Sequence, residues 1–158
     1  MADARDILNA HAEYMYGQLL GLGAEPFDVS PHIEAFFGHF DRVLPPQGAY
    51  ILAHDENGKV VGTGALLRTS QETAEMKHLY VRPEARKWGL GHSLISARLE
   101  AAKKLGITQV FAETFLTNEP MMRLYRRLGF TETDPFGAAG TTITPGLAPF
   151  ARSFQIRI

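Results

Sequence analysis

The stretch Glu75-Met76-Lys77-His78-Leu79-Tyr80-Val81-Arg82-Pro83, followed by Arg86-Lys87-Trp88-Gly89-Leu90-Gly91-His92-Ser93, decides the fold. Its first half reads as a strand, with Glu75, Lys77, Leu79 and Val81 on one face and Met76, His78 and Tyr80 on the other. Pro83 forbids continuation into a central ladder. Its second half opens a helix from about Gly89 to Leu105, with a stripe of Leu90, Leu94, Ala97, Ala101 and Leu105 and Gly106 as its C-terminal stop. A strand that enters a helix through a basic, glycine-bearing turn presents unpaired backbone N–H groups and the positive end of the helix dipole. Gly89 and Gly91 let backbone approach a ligand closely, and Arg86 and Lys87 add full charges. A phosphate or pyrophosphate is the ligand that suits this arrangement. Taken alone, the two glycines equally suit a plain tight turn. Two other phosphate motifs are excluded: there is no Gly-x-x-x-x-Gly-Lys-Ser/Thr string, and a dinucleotide fingerprint needs a third glycine where Leu94 stands.

Upstream, Asp3 to about Leu20 has helical periodicity, with Ile7, Ala10 and Tyr14 beside Leu8, Ala12, Met15 and Leu19, and Gly21 and Gly23 close it. Ser30-Pro31 reads as an N-cap and first helical residue, leading into Ile33, Phe36, Phe37 and Phe40, and Pro45-Pro46 stops that helix. Tyr50 to His54 and Lys59 to Leu67 read as a hairpin around Asn57-Gly58. Downstream, Thr108 to Phe115 is a strand. Asn118-Glu119-Pro120 then opens a helix with Met121, Leu124, Tyr125 and Leu128 on one face. Gly129 ends it and Phe130–Thr133 begins another strand. Residues 134–149 read as a long loop, and alternation from Phe150 to Ile158 gives a last strand. The expected fold class is α/β, a mixed sheet with helices on its faces.

The chain has 158 residues, enough for one core, so residues 1–158 are expected to form a single domain. With no cysteine, a disulfide scaffold, a thiolate nucleophile and a cysteine-ligated zinc are excluded. The histidines at 11, 32, 39, 54, 78 and 92 show no metal-ligand spacing, so no metal is expected. No Gly-x-Ser-x-Gly elbow supports a serine hydrolase. No apolar run reaches membrane-span length, and Met1 to Asp6 lacks a signal-peptide layout, so a cytoplasmic protein is expected. Lys and Arg number 16 against 17 Asp and Glu, too balanced for a nucleic-acid binder. The balance is uneven along the chain: residues 1–70 carry nine acids and four bases, residues 71–158 eight acids and twelve bases. An anionic ligand is drawn to the second half and a cationic one, weakly, to the first.

Three segments in order resemble the GNAT superfamily of acyl-CoA N-acyltransferases: Glu75 to Pro83, Arg86-x-x-Gly89-x-Gly91, and Asn118 with Leu124-Tyr125-Arg126-Arg127-Leu128-Gly129-Phe130. The resemblance spans about Tyr50 to Phe130. It implies a three-layer fold with a mostly antiparallel central sheet and a parallel β4-β5 pair flanked by helices. The family's usual opening strand has no counterpart before the first helix here. The resemblance also implies acetyl-CoA as co-substrate, with no metal. By the same likeness, the backbone of Leu79, Tyr80 and Val81 would pair with its pantetheine arm, and the segment Arg86, Lys87, Trp88, Gly89, Leu90, Gly91 and His92 would hold its pyrophosphate. Lys87, Arg123, Arg126 and Arg127 become candidates for the remaining phosphates, with Arg126 and Arg127 equally readable as solvated helix charges. Asn118 would bridge to the cofactor, or simply cap its helix, roles that are compatible.

Tyr125 falls where the family places a general acid able to protonate a leaving thiolate; its place on an apolar stripe also suits a core aromatic. Glu75 is the favoured base for the amine, ahead of Glu113 and His78, and a solvated strand charge is its alternative. A free Glu titrates near about 4.3, so this role needs a raised pKa or a water relay. The activity implied is acetyl transfer from acetyl-CoA to a primary amine, by direct attack in a ternary complex. The acceptor, a small molecule or peptide, would sit between the N-terminal helices and the 134–149 loop. The rival readings are a non-catalytic acyl-CoA-binding module and a subunit needing a partner chain. A homodimer is compatible with the resemblance; nucleic acid and membrane are not expected as partners.

Overall fold

The computed structural model describes residues 2–135 and 148–158. The chain opens on helix α1 (Ala2–Gly21), followed by α2 (Ser30–Gly38). Strands β1 (Gly48–His54), β2 (Val60–Arg68) and β3 (Thr73–Val81) come next, then α3 (Leu90–Lys104), β4 (Gln109–Phe115), α4 (Glu119–Arg127), β5 (Thr131–Thr133) and β6 (Ala151–Arg157). The six strands form one sheet in the order β1-β2-β3-β4-β6-β5. All neighbours are antiparallel except β3 and β4, which run parallel. The parallel pair is therefore β3-β4 rather than β4-β5: the chain enters the fold on a helix, so each strand counts one lower than in a layout that opens with a strand. No helix among the described residues is long and apolar enough to cross a membrane.

Glycines end the helices as the sequence suggests. At α3, the Gly106 N–H donates to Lys103 and the Ile107 N–H to Ala102, with Gly106 at φ 74°. The same double closure recurs after α4, through Gly129 and Phe130, and after α1, through Gly23 and Ala24. The start of α2 departs from expectation. Ser30 is the first helical residue, preceded by Val29, and its own N–H donates to Asp28 Oδ1 at 2.9 Å. Asp28 thus takes the Ser30 N–H, and the His32 and Ile33 N–H groups that a Ser30 cap was expected to satisfy donate to Val29 O instead. The helix stops at Gly38, before a 3₁₀ turn over Phe40–Val43, rather than running to Pro45-Pro46.

Strand β3 corrects a larger expectation. Thr63 pairs with Tyr80 but Ala65 pairs with Lys77, so β3 carries one extra residue in this interval. That is a β-bulge, and His78 absorbs it with φ 54°. Side-chain parity inverts there. Glu75, Lys77 and Tyr80 share one face with Thr63, while Met76 and Val81 share the other with Leu66 and Gly62. Simple alternation fails because it assumes an unbroken ladder.

Helices cover both faces. On one, Ile7 of α1 meets Val60 and Tyr80. On the other, α3 and α4 enclose the main core with Leu66, Met76, Ile95, Val110, Tyr125 and Phe154. The expected α3 stripe is also corrected. Its buried residues are Leu94, Ile95, Arg98 and Ala102, and Ala97 faces solvent. Arg98 is fully buried because Gly64 makes room: a Cβ at Gly64 would lie 2.9 Å from Arg98 Nε and 3.1 Å from Cζ. Arg98 is pinned by Nε donating to Leu94 O at 3.0 Å and Nη1 to Ala65 O and Lys77 O, both at 3.3 Å. Gly64→Ala is therefore expected to cost about 1–3 kcal/mol, as overpacking against a side chain that cannot swing away. Gly17→Ala, in α1 with nothing near the added Cβ, should instead stabilise by up to about 1 kcal/mol. Chemical denaturation of both variants checks the contrast.

Candidate functional site

The β3-β4 ladder pairs Thr73 with Gln109 and ends at Met76 with Ala112, although β3 runs on to Val81 and β4 to Phe115. Beyond that point the strands part. The bulge turns β3 away, and Arg98 takes the Lys77 carbonyl. The resulting cleft of about 120 Å³ has Arg98, Tyr125, Asn118 and Glu113 among its walls. It shares Leu79, Asn118 and Met121 with a groove of about 470 Å³ at the start of α3. On its other side it shares His11, Lys77, His78 and Glu113 with a pocket of about 230 Å³ beneath α1 and α2. The three spaces adjoin one another along the parted strands through these shared walls.

The groove gathers most of the residues expected to hold a cofactor. Leu79, Tyr80, Val81, Arg86, Lys87, Gly89, Leu90, Gly91, His92 and Asn118 line it. Lys87 and Gly89 both adopt positive φ, 72° and 80°, which folds the backbone tightly ahead of α3. A non-glycine residue in that region is strained by about 1–3 kcal/mol, a cost that recurs at binding loops. No acidic residue occupies the first turn of α3. Arg86 lines the groove but is already engaged: its Nε donates to Val81 O at 3.0 Å and its guanidinium lies 4.8 Å over the Tyr14 ring. Trp88 is 71% exposed and does not line the groove. Of the further arginines only Arg127 lines it; Arg123 pairs with Glu119 and Arg126 with Glu132. Asn118 occupies the N-cap position of α4, yet its side chain makes no capping bond; its carbonyl accepts from Met121 and Met122. Its amide is left to face the cleft and groove.

Tyr125 is buried against Phe130 and Phe154, with ring centroids 4.9 and 5.2 Å away, and lines the cleft. Burial pushes its phenol pKa up, while the Arg98 charge pulls the other way. Tyr125 is thus a core aromatic that also borders the cleft.

Glu75 is 2% exposed, so it is no solvated strand charge. Its Oε1 lies 3.1 Å from Lys77 Nζ, and its Oε2 has no hydrogen-bond partner among the described residues. Burial pushes its carboxyl up to about 7; Lys77 opposes the rise and Glu113 adds to it. Glu113 is raised as well, chiefly by burial, and accepts from Ser153 Oγ at 3.3 Å. His78 and His11 sit together, rings 5.8 Å apart, and burial holds both below the usual imidazole range, His11 at about 4. They are neutral near pH 7. His78 is therefore poorly charged but also enclosed, with its ring 4.6 Å from that of Phe36.

The sequence reading missed Arg98 and Lys77. Arg98 was signalled by its place four residues after Leu94, a cation on an apolar stripe, opposite the Gly62-x-Gly64 pair of β2. Its Nη2 has no partner among the described residues and its side chain borders the cleft. No group of three or more metal-type ligands occurs among the described residues. The loop expected over 134–149 falls mainly on residues 136–147, outside the described residues.

The acetyltransferase (GNAT) family matches residues 5–130. An uncharacterized N-acetyltransferase of Schizosaccharomyces pombe is 38% identical over 93 residues, 58% of this chain and 57% of that protein. The chain spans a little over half the length of such curated relatives. A GNAT-family acetyltransferase of Staphylococcus aureus Mu50 superposes with a TM-score of 0.74 at 17% identity, covering 97% of this chain and 92% of that one. A GNAT-superfamily phosphinothricin acetyltransferase of Sinorhizobium meliloti, in complex with AcCoA, gives 0.65 at 21% identity, covering 98% and 84%. These neighbours share the fold. With residues 5–130 matched, the chain belongs to the acetyltransferase (GNAT) family.

Proposed function

We propose that this chain moves an acetyl group from acetyl-CoA to a primary amine by direct attack in a ternary complex. The observation that carries this reading is the row of adjoining spaces along the parted strands, with an anion-suited groove on one side of the cleft and the acid groups of Glu75 and Glu113 on the other. The groove fits the co-substrate. Unpaired N–H groups of the first α3 turn, two glycines and Lys87 suit a pyrophosphate. Past Met76, β3 has backbone along the groove at Leu79, Tyr80 and Val81 that β4 does not pair, which suits an amide-bearing arm. When bound, acetyl-CoA supplies an activated acyl carbon and a thiolate leaving group.

The protein's residues then do three things. Glu75, with a pKa near neutrality, accepts a proton from the incoming ammonium, directly or through water, and passes it to solvent. The amine nitrogen forms its bond to the acyl carbon as the carbon–sulfur bond breaks. Tyr125 gives its phenolic proton to the departing sulfur and recovers one from the acetylated nitrogen. Arg98 holds a positive charge beside this transfer, where negative charge passes from sulfur to phenol oxygen. The balance is an ammonium and a thioester consumed, an amide, a thiol and one proton released.

Tyr125→Phe should keep acetyl-CoA affinity and lose about 10²–10⁴-fold in kcat. Calorimetric titration and steady-state rates check it; unchanged turnover rejects the role. Wild-type activity should rise with pH through about 7, and Glu75→Gln should lose most activity near neutrality with partial recovery at high pH.

The same variant tests the titration without turnover. A raised carboxyl pKa stabilises the fold fully below about pH 4.5, and this contribution is lost as pH rises through 7. His11, lowered to about 4, acts oppositely: its neutral form is favoured on folding, so stability is lost as pH falls from 6.5 toward 4. Between pH 4.5 and 7 the two trends offset each other. Glu75→Gln removes one of them, so its stability should climb with pH more steeply than that of wild type, by up to about 3 kcal/mol across the window. Denaturant midpoints at pH 5, 6 and 7.5 read the difference.

A further inference from the structure

The pocket beneath α1 and α2 carries a specific recognition chemistry. Its floor holds Glu75, Lys77 and Glu113, two acids and one base, and the base is already committed at 3.1 Å to Glu75. A cationic group entering there meets two acid groups, and its charge favours their carboxylate forms. The walls are apolar and aromatic. Tyr16 and Phe27 meet edge to face with centroids 5.3 Å apart, and Leu19 and Ile33 lie buried beside them. No arginine lines the pocket, and the lining His11 and His78 are held neutral by burial. His32, also in the lining, lies in the field of the Asp28 carboxylate. Residues 136–147 contain no charged side chain, so they bring no cation to the pocket whatever their arrangement. An acid group on the ligand would therefore be desolvated beside Glu113, with Lys77 already shared with Glu75 and His32 facing Asp28. The volume of about 230 Å³ is below the range for drug-sized ligands and suits about ten heavy atoms.

Building on the transferase reading above, we infer that the acceptor is a small primary amine with an apolar, ring-sized body and no acidic group. The ammonium sits at Glu75 and Glu113, and the body lies against Tyr16, Phe27 and Ile33. Amino acids and phosphinate-bearing amines are excluded, although a structural neighbour is a phosphinothricin acetyltransferase.

The test uses a matched pair differing only by a carboxylate, 2-phenylethylamine and L-phenylalanine, with phosphinothricin and spermidine alongside. Thermal unfolding with and without acetyl-CoA comes first, then CoA release and binding of each amine to the acetyl-CoA complex. The inference expects 2-phenylethylamine to bind and react, with kcat/KM at least 100-fold above L-phenylalanine, phosphinothricin and spermidine. Phe27→Ala should raise KM for 2-phenylethylamine at least tenfold while leaving KM for acetyl-CoA within twofold. Equal or better turnover of either acidic acceptor overturns the inference. So does a protein that acetyl-CoA stabilises but to which 2-phenylethylamine neither binds nor donates its amine, an outcome that leaves the transferase reading standing. Failure of acetyl-CoA to raise the unfolding temperature removes that reading, and the acceptor assignment with it.

Discussion

The parting of β3 from β4 is the constraint on which the rest of this structure depends. A parallel ladder broken after Met76 and Ala112 leaves backbone donors and acceptors without partners, and such groups are costly in a protein interior. Two devices make the break tolerable. The His78 bulge swings β3 away while keeping it paired to β2. Arg98 then reaches from α3 through the space left by Gly64 and donates to the Lys77 and Ala65 carbonyls. A lysine could not span both acceptors and Leu94 O with one head group, because only the guanidinium carries donors on a rigid fork. The cleft is thus held open from behind by a buried cation.

That arrangement separates two electrostatic environments, which the proposed acetyl transfer would need to keep apart. On the groove side, the α3 N-terminus and Lys87 favour anions. On the pocket side, burial raises both Glu75, up to about 7, and Glu113, so these acid groups hold protons to higher pH than usual and favour an arriving cation. Tyr125 and Asn118 stand between, both on or at the head of α4. One short helix therefore aligns the two sides, and the double closure through Gly129 and Phe130 fixes its end against β6.

The order of elements, the hairpin and most of the residues that line the groove were legible in the sequence because each rests on a local signal: periodicity, a glycine after a helix, a basic turn before one. What was not legible depends on tertiary contact. The face of Glu75 and Tyr80 could not be read because the bulge is fixed by pairing with β2, not by His78 itself. The burial of Arg98 required knowing that Gly64 lies opposite it. Trp88 illustrates the converse: it stands inside the motif by sequence, but its side chain points to solvent. Arg86 likewise has the expected charge, yet it is spent on Val81 O and the Tyr14 ring. Adjacency in a motif locates backbone better than it locates side chains.

The unsatisfied polar atoms sharpen the same argument. Glu75 Oε2 and Arg98 Nη2 are buried without partners among the described residues, one beside the pocket and one beside the cleft. Leaving such an atom unpaired costs about 1–3 kcal/mol, more when it is charged. An apolar pair at these positions would fold more stably, since a buried charge must recover its desolvation from close partners. Glu75 and Arg98 are of opposite sign, Glu75 lining the pocket and Arg98 the adjoining cleft, whereas the third such atom on a charged side chain, Arg68 Nε, lies outside both linings. In the proposed transfer Arg98 would meet negative charge gathering on sulfur and phenol oxygen, and Glu75 the proton leaving nitrogen. The penalty carried by the resting fold would then be relieved as those charges develop, which is how a preorganised site favours a transition state over its ground state.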